Sequence, residues 1–112
     1  MDLQAMNVGG VAIVAVNGRV DSTTAPDLAR GLEGPVGGAS PRLVLDLSNT
    51  EYVSSAGLRV FLKTAKSIED AGGKFALCGV NDRVREILDI SGFLSILTVC
   101  ASREEALAGV AA

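Results

Sequence analysis

Short apolar runs alternate with segments of helical periodicity along most of this chain, and this alternation restricts the fold more than any other feature. The runs are VAIVAV (11–16), LVLDL (43–47), KFALCGV (74–80) and SILTV (95–99), and they are rich in aliphatic residues, as buried strands are. The stretches between them carry apolar residues at helical spacing. Parallel strands joined by crossover helices produce this order, so it predicts an α/β fold with a mostly parallel sheet.

Two further features complete the predicted order of elements. Residues 2–7 are expected to form an antiparallel edge strand that pairs with the first run through a double-glycine turn, which makes the sheet mixed. Ser102 and Glu105 have the spacing of a capping box, which predicts a short C-terminal helix. We therefore expect a single domain over residues 1–112 with the order β-β-α-β-α-β-α-β-α, four or five strands and about four helices.

Capping residues and helix breakers predict where the shorter helices begin and end. Thr24 is expected to cap the first helix, which should end at Gly34-Pro35. Asn81 or Asp82 should cap a later helix that carries Val84, Ile87 and Leu88 and ends at Ser91-Gly92.

No histidine occurs among the 112 residues, and this absence narrows the possible functions. Histidine is the commonest general base and the commonest metal ligand, so acid–base catalysis and transition-metal binding lose their usual residue. The two cysteines, Cys78 and Cys100, lack the spacing of a zinc site. Both lie in apolar runs, and we expect buried free thiols in a reducing compartment. We expect neither catalytic residues nor a metal site.

Charge and hydropathy bear on partners and location. The net charge is −3 and no lysine–arginine block occurs, so nucleic acid is not an expected partner. Aromatic residues make up only 4% of the chain, too few for a platform on which bases stack. The N-terminal residues do not resemble a secretion signal, and no window reaches the roughly 18 apolar residues of a membrane span. A cytoplasmic protein without membrane contact is expected.

Two adjacent serines, Ser54 and Ser55, lie where the apolar run 43–47 leads into the longest predicted helix. A nucleophile elbow needs glycines two residues on either side of the serine, whereas Ser55 has Val53 and Gly57 there. A serine–lysine dyad fails because the third residue after Ser55 is a leucine. The start of a helix favours anions, but the glycine pattern of a dinucleotide site is absent. Capping by one serine is worth about 1 kcal/mol and leaves the second hydroxyl open to another role.

Four segments of the chain resemble a known family. The stretch VLDLSNTEYVSSAGLRVFL (44–62) resembles the signature of the STAS domain, most closely that of bacterial anti-sigma factor antagonists. VNGRVDSTTAPDL (16–28), GGKFALCGVNDRVREIL (72–88) and LDISGFLSIL (88–97) are similar to the family's other motifs in order and spacing. The resemblance extends from about residue 5 to 108.

The resemblance implies partner switching. In that family the unphosphorylated antagonist binds an anti-sigma factor that is also a serine kinase, and so frees a sigma factor or another target. Phosphorylation by the kinase ends binding, and a PP2C-type phosphatase restores it. Such a protein is no enzyme and needs no cofactor, because ATP and Mg would be bound by the kinase. A monomer or a weak dimer is expected. The alternative is a STAS protein without this cycle, either a subunit of a lipid-transport ATPase or a stress-complex scaffold.

The same resemblance assigns site residues. The phosphorylated serine of the family lies two residues before the motif glycine, which is Ser55 here. Ser54 stands where many members carry aspartate, and it is a second candidate for phosphorylation. The expected partner-binding residues or switch neighbours are Asp21, Asp46, Ser54, Ala56, Gly57 and Arg59.

Several of these residues also have a purely structural interpretation from the sequence. Asp21 fits a turn or a cap, and Asp46 fits a partly exposed strand end. Gly57 suits close packing of the helix on the sheet as well as close approach of a partner. Arg59 lies off the apolar stripe and is expected to be exposed.

Overall fold

A computed structural model describes residues 1–111 and contains six strands and four α-helices in that range. In chain order the elements are β1 (Asp2–Val8), β2 (Val11–Val20), α1 (Ala25–Val36), β3 (Arg42–Asp46), β4 (Thr50–Val53), α2 (Ser55–Asp70), β5 (Lys74–Cys78), α3 (Asp82–Ile90), β6 (Val99–Cys100) and α4 (Arg103–Ala111). A short 3₁₀ helix, Phe93–Ser95, precedes β6.

The strands form one mixed sheet in the order β1-β2-β3-β5-β6, and β4 pairs with β2. Among residues 1–111, only the β1–β2 pair is antiparallel, and the other pairs are parallel. The predicted α/β fold and the antiparallel edge are therefore confirmed, while the sheet has six strands instead of four or five. The additional strand is β4, whose four residues are too short to stand out from the turn around them.

The helices divide the core into two layers because side chains on a strand alternate between the faces of the sheet. Leu43 and Leu45 of β3 pack with α1, α2 and α3 in the larger apolar cluster. Val44, between them, packs on the other face with Ala106 and Val110 of α4. One face of the sheet thus carries three helices, and the opposite face carries α4.

The first helix begins directly after Thr24 as predicted, but its C-terminal end and its cap differ from the prediction. It continues through Pro35 to Val36, and Gly37 N donates to Glu33 O at 3.1 Å to close the last turn. A proline so close to the C-terminus removes a single backbone hydrogen bond, so the helix tolerates it. Thr24 is the residue before the helix, but its side chain does not cap it. The Thr24 hydroxyl instead donates to Arg19 O at 2.9 Å.

The predicted strand 95–99 was wrong over most of its length. The 3₁₀ helix ends at Ser95, Ile96 is exposed, and pairing begins only at Val99. Leu97 is nevertheless buried, and its N–H donates to Phe93 O at 2.8 Å. Leu97 thus reaches the core from a turn. For this reason the apolar run around it resembled a buried strand.

Candidate functional site

The segment before α2 is fixed to the end of β2 by backbone and side-chain hydrogen bonds. Gly18 N donates to Asn49 O at 2.9 Å, and the Thr50 hydroxyl donates to Val16 O at 2.7 Å. Strand β4 then runs parallel to β2, with Val53 in register with Val20. Ser54 N donates to Val20 O at 2.8 Å, so the start of α2 has a defined position on the sheet.

The two serines at this point have different environments. Ser54 is the N-cap of α2, and its Oγ accepts a hydrogen bond from Gly57 N at 3.4 Å. Ser55 is the first residue of the helix and is exposed, whereas Ser54 is half-buried. Within residues 1–111, no protein group is hydrogen-bonded to the Ser55 Oγ. The prediction that one serine caps the helix is therefore confirmed for Ser54.

Asp21 lies beside this helix start, because it follows Val20 as Ser54 follows Val53 in the paired strands. Its Oδ1 accepts hydrogen bonds from Thr23 N at 2.9 Å and from Thr24 N at 3.1 Å. The bond from Thr24, aided by the one from Thr23, lowers the pKa of the Asp21 carboxyl below its ordinary value and outweighs the opposing effect of burial. The expected turn role is confirmed, and the turn holds a carboxylate at the end of β2, where the start of α2 is attached.

Asp46 is not part of this surface. It is only 7% exposed, so the expectation of a partly exposed strand end was wrong. Its Oδ2 accepts from Nη2 of Arg103 in α4 at 2.7 Å, and Ser48 N donates to its Oδ1 at 2.9 Å. The side chain therefore points to the α4 face, away from the face on which α2 packs. The structure does not bring Asp46 to Ser55.

Burial of Asp46 also affects its titration. Desolvation on its own would raise the pKa of this carboxyl, but the hydrogen bonds from Ser48 and the cation of Arg103 outweigh it. The net result is a pKa below the ordinary value. Asp46 is thus an ionised group that anchors α4 to the sheet.

The remaining predicted residues lie among the first five residues of α2. Gly57 is buried, and a Cβ at this position would lie 2.7 Å from Cγ1 of Val20 and 2.8 Å from Cγ1 of Val53. Its close packing on the sheet is therefore the interpretation that the structure supports. Ala56 is half-buried, and Arg59 is exposed as expected.

One pair of residues beside the site was missed from the sequence. The guanidinium of Arg19 lies over the ring of Tyr52, with its carbon 4.7 Å from the ring centroid. The two residues are register partners on β2 and β4, and Arg19 is exposed. Arg19 and Tyr52 could have been identified as neighbours only from the pairing of β2 with β4. That pairing was not predicted, because β4 was not predicted.

Two further features concern metal binding and membrane insertion. No group of three or more His, Cys, Asp or Glu side chains between residues 1 and 111 is placed to hold a metal ion. In the same range, no helix is long and apolar enough to cross a membrane.

Comparison with known proteins agrees with this architecture. The sequence profile of the STAS domain matches residues 2–106. The Bordetella bronchiseptica protein BtrV, provisionally named an anti-sigma factor antagonist, is 43% identical over 108 residues, which cover 96% of this chain and 93% of BtrV. An anti-sigma F factor antagonist of Paenibacillus polymyxa is 32% identical over 99 residues, which cover 88% of this chain and 85% of that protein.

A solved structure extends the likeness to three dimensions. The crystal structure of an anti-sigma factor antagonist from Mycobacterium paratuberculosis has a TM-score of 0.90 and 26% identity, covering 99% of this chain and 94% of that chain. The chain belongs to the STAS domain family, as the resemblance in its sequence predicted.

Proposed function

We propose that this chain is an anti-sigma factor antagonist that works by partner switching. Its unphosphorylated form binds an anti-sigma factor with serine kinase activity, and the bound anti-sigma factor then releases its sigma factor or another target. Two relatives that match this chain over most of their length carry the name anti-sigma factor antagonist, which supports the proposal. The chain itself performs no catalysis in this scheme, and ATP and Mg are bound by the kinase.

The observation that carries the proposal is the difference between the two serine hydroxyls. A kinase needs a hydroxyl that it can reach, and Ser55 is exposed at the first position of α2. The Ser54 hydroxyl is half-buried and already accepts the N–H of Gly57. The phosphoacceptor is therefore Ser55, with Ser54 kept as the cap.

Phosphate at Ser55 acts on binding and leaves the fold intact. It adds about −1.5 to −2 charges at the N-terminus of a helix, where unpaired N–H groups and the helix dipole favour an anion. At an interface the same dianion must lose water and lies near the carboxylate of Asp21. Each 1.4 kcal/mol of that cost weakens binding about tenfold. Removal of the phosphate by a PP2C-type phosphatase restores binding.

Mass spectrometry after incubation with the anti-sigma factor, ATP and Mg tests the modified position. Wild type, Ser55→Ala and Ser54→Asp are compared, because aspartate preserves the cap and removes only the second hydroxyl. We expect one phosphate on Ser55 in wild type and in Ser54→Asp, and none in Ser55→Ala. Phosphate on Ser54 of the wild type would overturn the assignment.

Calorimetric titration of the anti-sigma factor tests the switch separately. Wild type and Ser55→Ala should bind alike, and the phosphorylated protein should bind at least about tenfold more weakly. Equal binding of phosphorylated and unphosphorylated protein contradicts switching. Binding to a transport ATPase, with none to the anti-sigma factor, would favour the alternative of a lipid-transporter subunit.

A further inference from the structure

Strand β1 leaves one edge of the sheet open within the described residues. It is paired with β2 on one side only, along all seven of its residues. Residues 3–8 (LQAMNV) contain neither a charge nor a proline, and every residue of β1 except Leu3 is exposed. Natural edge strands are normally protected by lysine, proline, a bulge or a cover, because a bare edge can pair with another strand. Residues 3–8 therefore carry neither the charge nor the proline that normally protects an edge strand.

The turn after β1 determines which backbone groups face outward. Gly9 and Gly10 have φ values of 56° and 83°, so they form a two-residue hairpin turn of the type that needs positive φ at both positions. Such a turn is flanked by a hydrogen-bonded pair, here Val8 and Val11. Bonding to β2 then alternates back along β1. The N–H and C=O groups of Leu3, Ala5 and Asn7 therefore point away from the sheet.

We propose that this open edge pairs with the same strand of a second copy of the chain. In an antiparallel pair with its two-fold axis at Ala5, Ala5 faces Ala5 of the other copy, and Leu3 faces its Asn7. These are the residues whose backbone groups point outward, so about six hydrogen bonds join the copies. The product is a continuous sheet through a symmetric dimer.

The same register determines which side chains of the two copies face each other, and it brings no like charges together. Gln4 lies opposite Met6, and Asp2, the only charged residue of β1, lies opposite Val8. No like charges meet, and a charged peptide from another protein would find no ion pair along residues 3–8. Met6 and Val8 are 52% and 46% exposed, and they continue the apolar row of Ile13 and Val11 beyond the cover of α4. In the pair, Gln4 and Asp2 of the second copy lie beside Met6 and Val8 and remove part of their surface from water.

The dimer leaves the start of α2 accessible. Gly18 and Val16 of β2 bond to Asn49 and Thr50 on the side of the strand away from β1. Dimerisation through β1 and partner binding at the start of α2 therefore take place on opposite sides of β2.

Sedimentation velocity over a range of concentrations tests the proposal with wild type, Ala5→Pro and Ala5→Ser. Proline removes the outward N–H of position 5 and no hydrogen bond to β2, so the strand tolerates it. We expect wild type and Ala5→Ser to form dimers as concentration rises, and Ala5→Pro to need at least about tenfold more protein. Circular dichroism verifies that each variant is folded. A wild type that stays monomeric up to about 1 mM would overturn the proposal.

A second variant tests the register without relying on proline. In a hydrogen-bonded antiparallel pair the Cα atoms lie about 5.5 Å apart, within the range of a disulfide. Oxidised glutathione should therefore convert Ala5→Cys into a dimer linked from position 5 to position 5, and glutathione is reduced in the exchange. Peptide mapping that finds no such link, or only links through Cys100, contradicts pairing at Ala5.

Discussion

The N–H of Ser54 donates to the carbonyl oxygen of Val20 at 2.8 Å, which joins the start of α2 to the end of β2. Ser54 is followed in the sequence by Ser55, and Val20 is followed by Asp21, so both residues of the proposed switch adjoin this hydrogen bond. Phosphorylation at Ser55 would therefore add charge to a surface of fixed geometry. Phosphorylation would then lower the affinity for a partner without refolding of α2 or β2.

The two serines should differ in their effect on stability. Ser54→Ala removes the cap on Gly57 N, and we expect the free energy of unfolding to fall by about 0.5–1 kcal/mol, because the 3.4 Å bond is long. Ser55→Ala should change it by less than about 0.5 kcal/mol. Urea denaturation of both variants measures the difference. A larger loss for Ser55→Ala would show that its hydroxyl has a structural role.

Two helical glycines provide a matched pair for close packing. In Gly57→Ala the new methyl group would meet Val20 and Val53 at less than 3 Å, and we expect a loss of about 1–3 kcal/mol. Gly109 in α4 has open space around the same position, so Gly109→Ala should stabilise the protein by about 0.5–1 kcal/mol. Thermal unfolding distinguishes the two. Equal effects would contradict the packing of α2 on β2 and β4.

The contact between Asp46 and Arg103 should make stability depend on pH. The pKa of Asp46 is lowered in the folded protein, so its contribution is complete above the ordinary value of 3.8 and is lost as pH falls through the lower folded value. We expect Asp46→Asn to be less stable than wild type at pH 7, and the difference to shrink below pH 3.8. Unfolding measured across this range tests the sign.

Removal of the cation from the same contact provides a second measurement. Arg103→Met keeps an apolar stem but leaves the Asp46 carboxylate without its ion pair, and about 1–3 kcal/mol should be lost at pH 7. Arg85→Met on the exposed face of α3 is the control and should change stability by less than about 0.5 kcal/mol. Similar losses for both variants would contradict a specific role for the ion pair.

The two cysteines should react at different rates. Both were expected to be buried, which is confirmed for Cys78, while Cys100 is only half-buried. Burial raises the pKa of the Cys78 thiol to about 11, so little thiolate forms near neutral pH. We expect a thiol reagent at pH 8 to modify Cys100 more than about tenfold faster. In Cys100→Ser the remaining thiol should react only on unfolding, and rapid native labelling of that variant would refute the prediction.

The effect of the Asp21 charge on binding can be measured separately from the effect of the turn that Asp21 forms. Asp21→Asn retains an oxygen for the N–H groups of Thr23 and Thr24 and removes the charge, whereas Asp21→Ala removes both. If repulsion contributes to the switch, phosphorylated Asp21→Asn should bind the anti-sigma factor more tightly than the phosphorylated wild type. Calorimetry of phosphorylated Asp21→Asn and phosphorylated wild type measures the change in affinity, and the unphosphorylated forms of both proteins are the controls. An unchanged ratio would assign the switch to desolvation alone.

Local features of the sequence predicted local features of the structure. The caps at Ser54 and Asn81 and the bond from Glu105 N to Ser102 Oγ each join atoms three residues apart, so spacing alone is informative. The sequence also predicted the order of helices and strands, the antiparallel first strand and the family. These predictions depend on hydropathy patterns and on short motifs, both of which are visible in the sequence without knowledge of the fold.

Contacts between distant segments were decided only by the tertiary structure. Strand β4 exists because the end of β2 offers it a partner, and the direction of Asp46 follows from Arg103, which lies 57 residues further along the chain. Gly57 became a packing residue only when Val20 and Val53 were placed beneath it. Composition and periodicity identify what a segment can form, whereas strand register and the packing of helices on the sheet determine which side chains meet. For this reason the sequence singled out both serines, and the folded chain distinguished the one that caps a helix from the one that faces solvent.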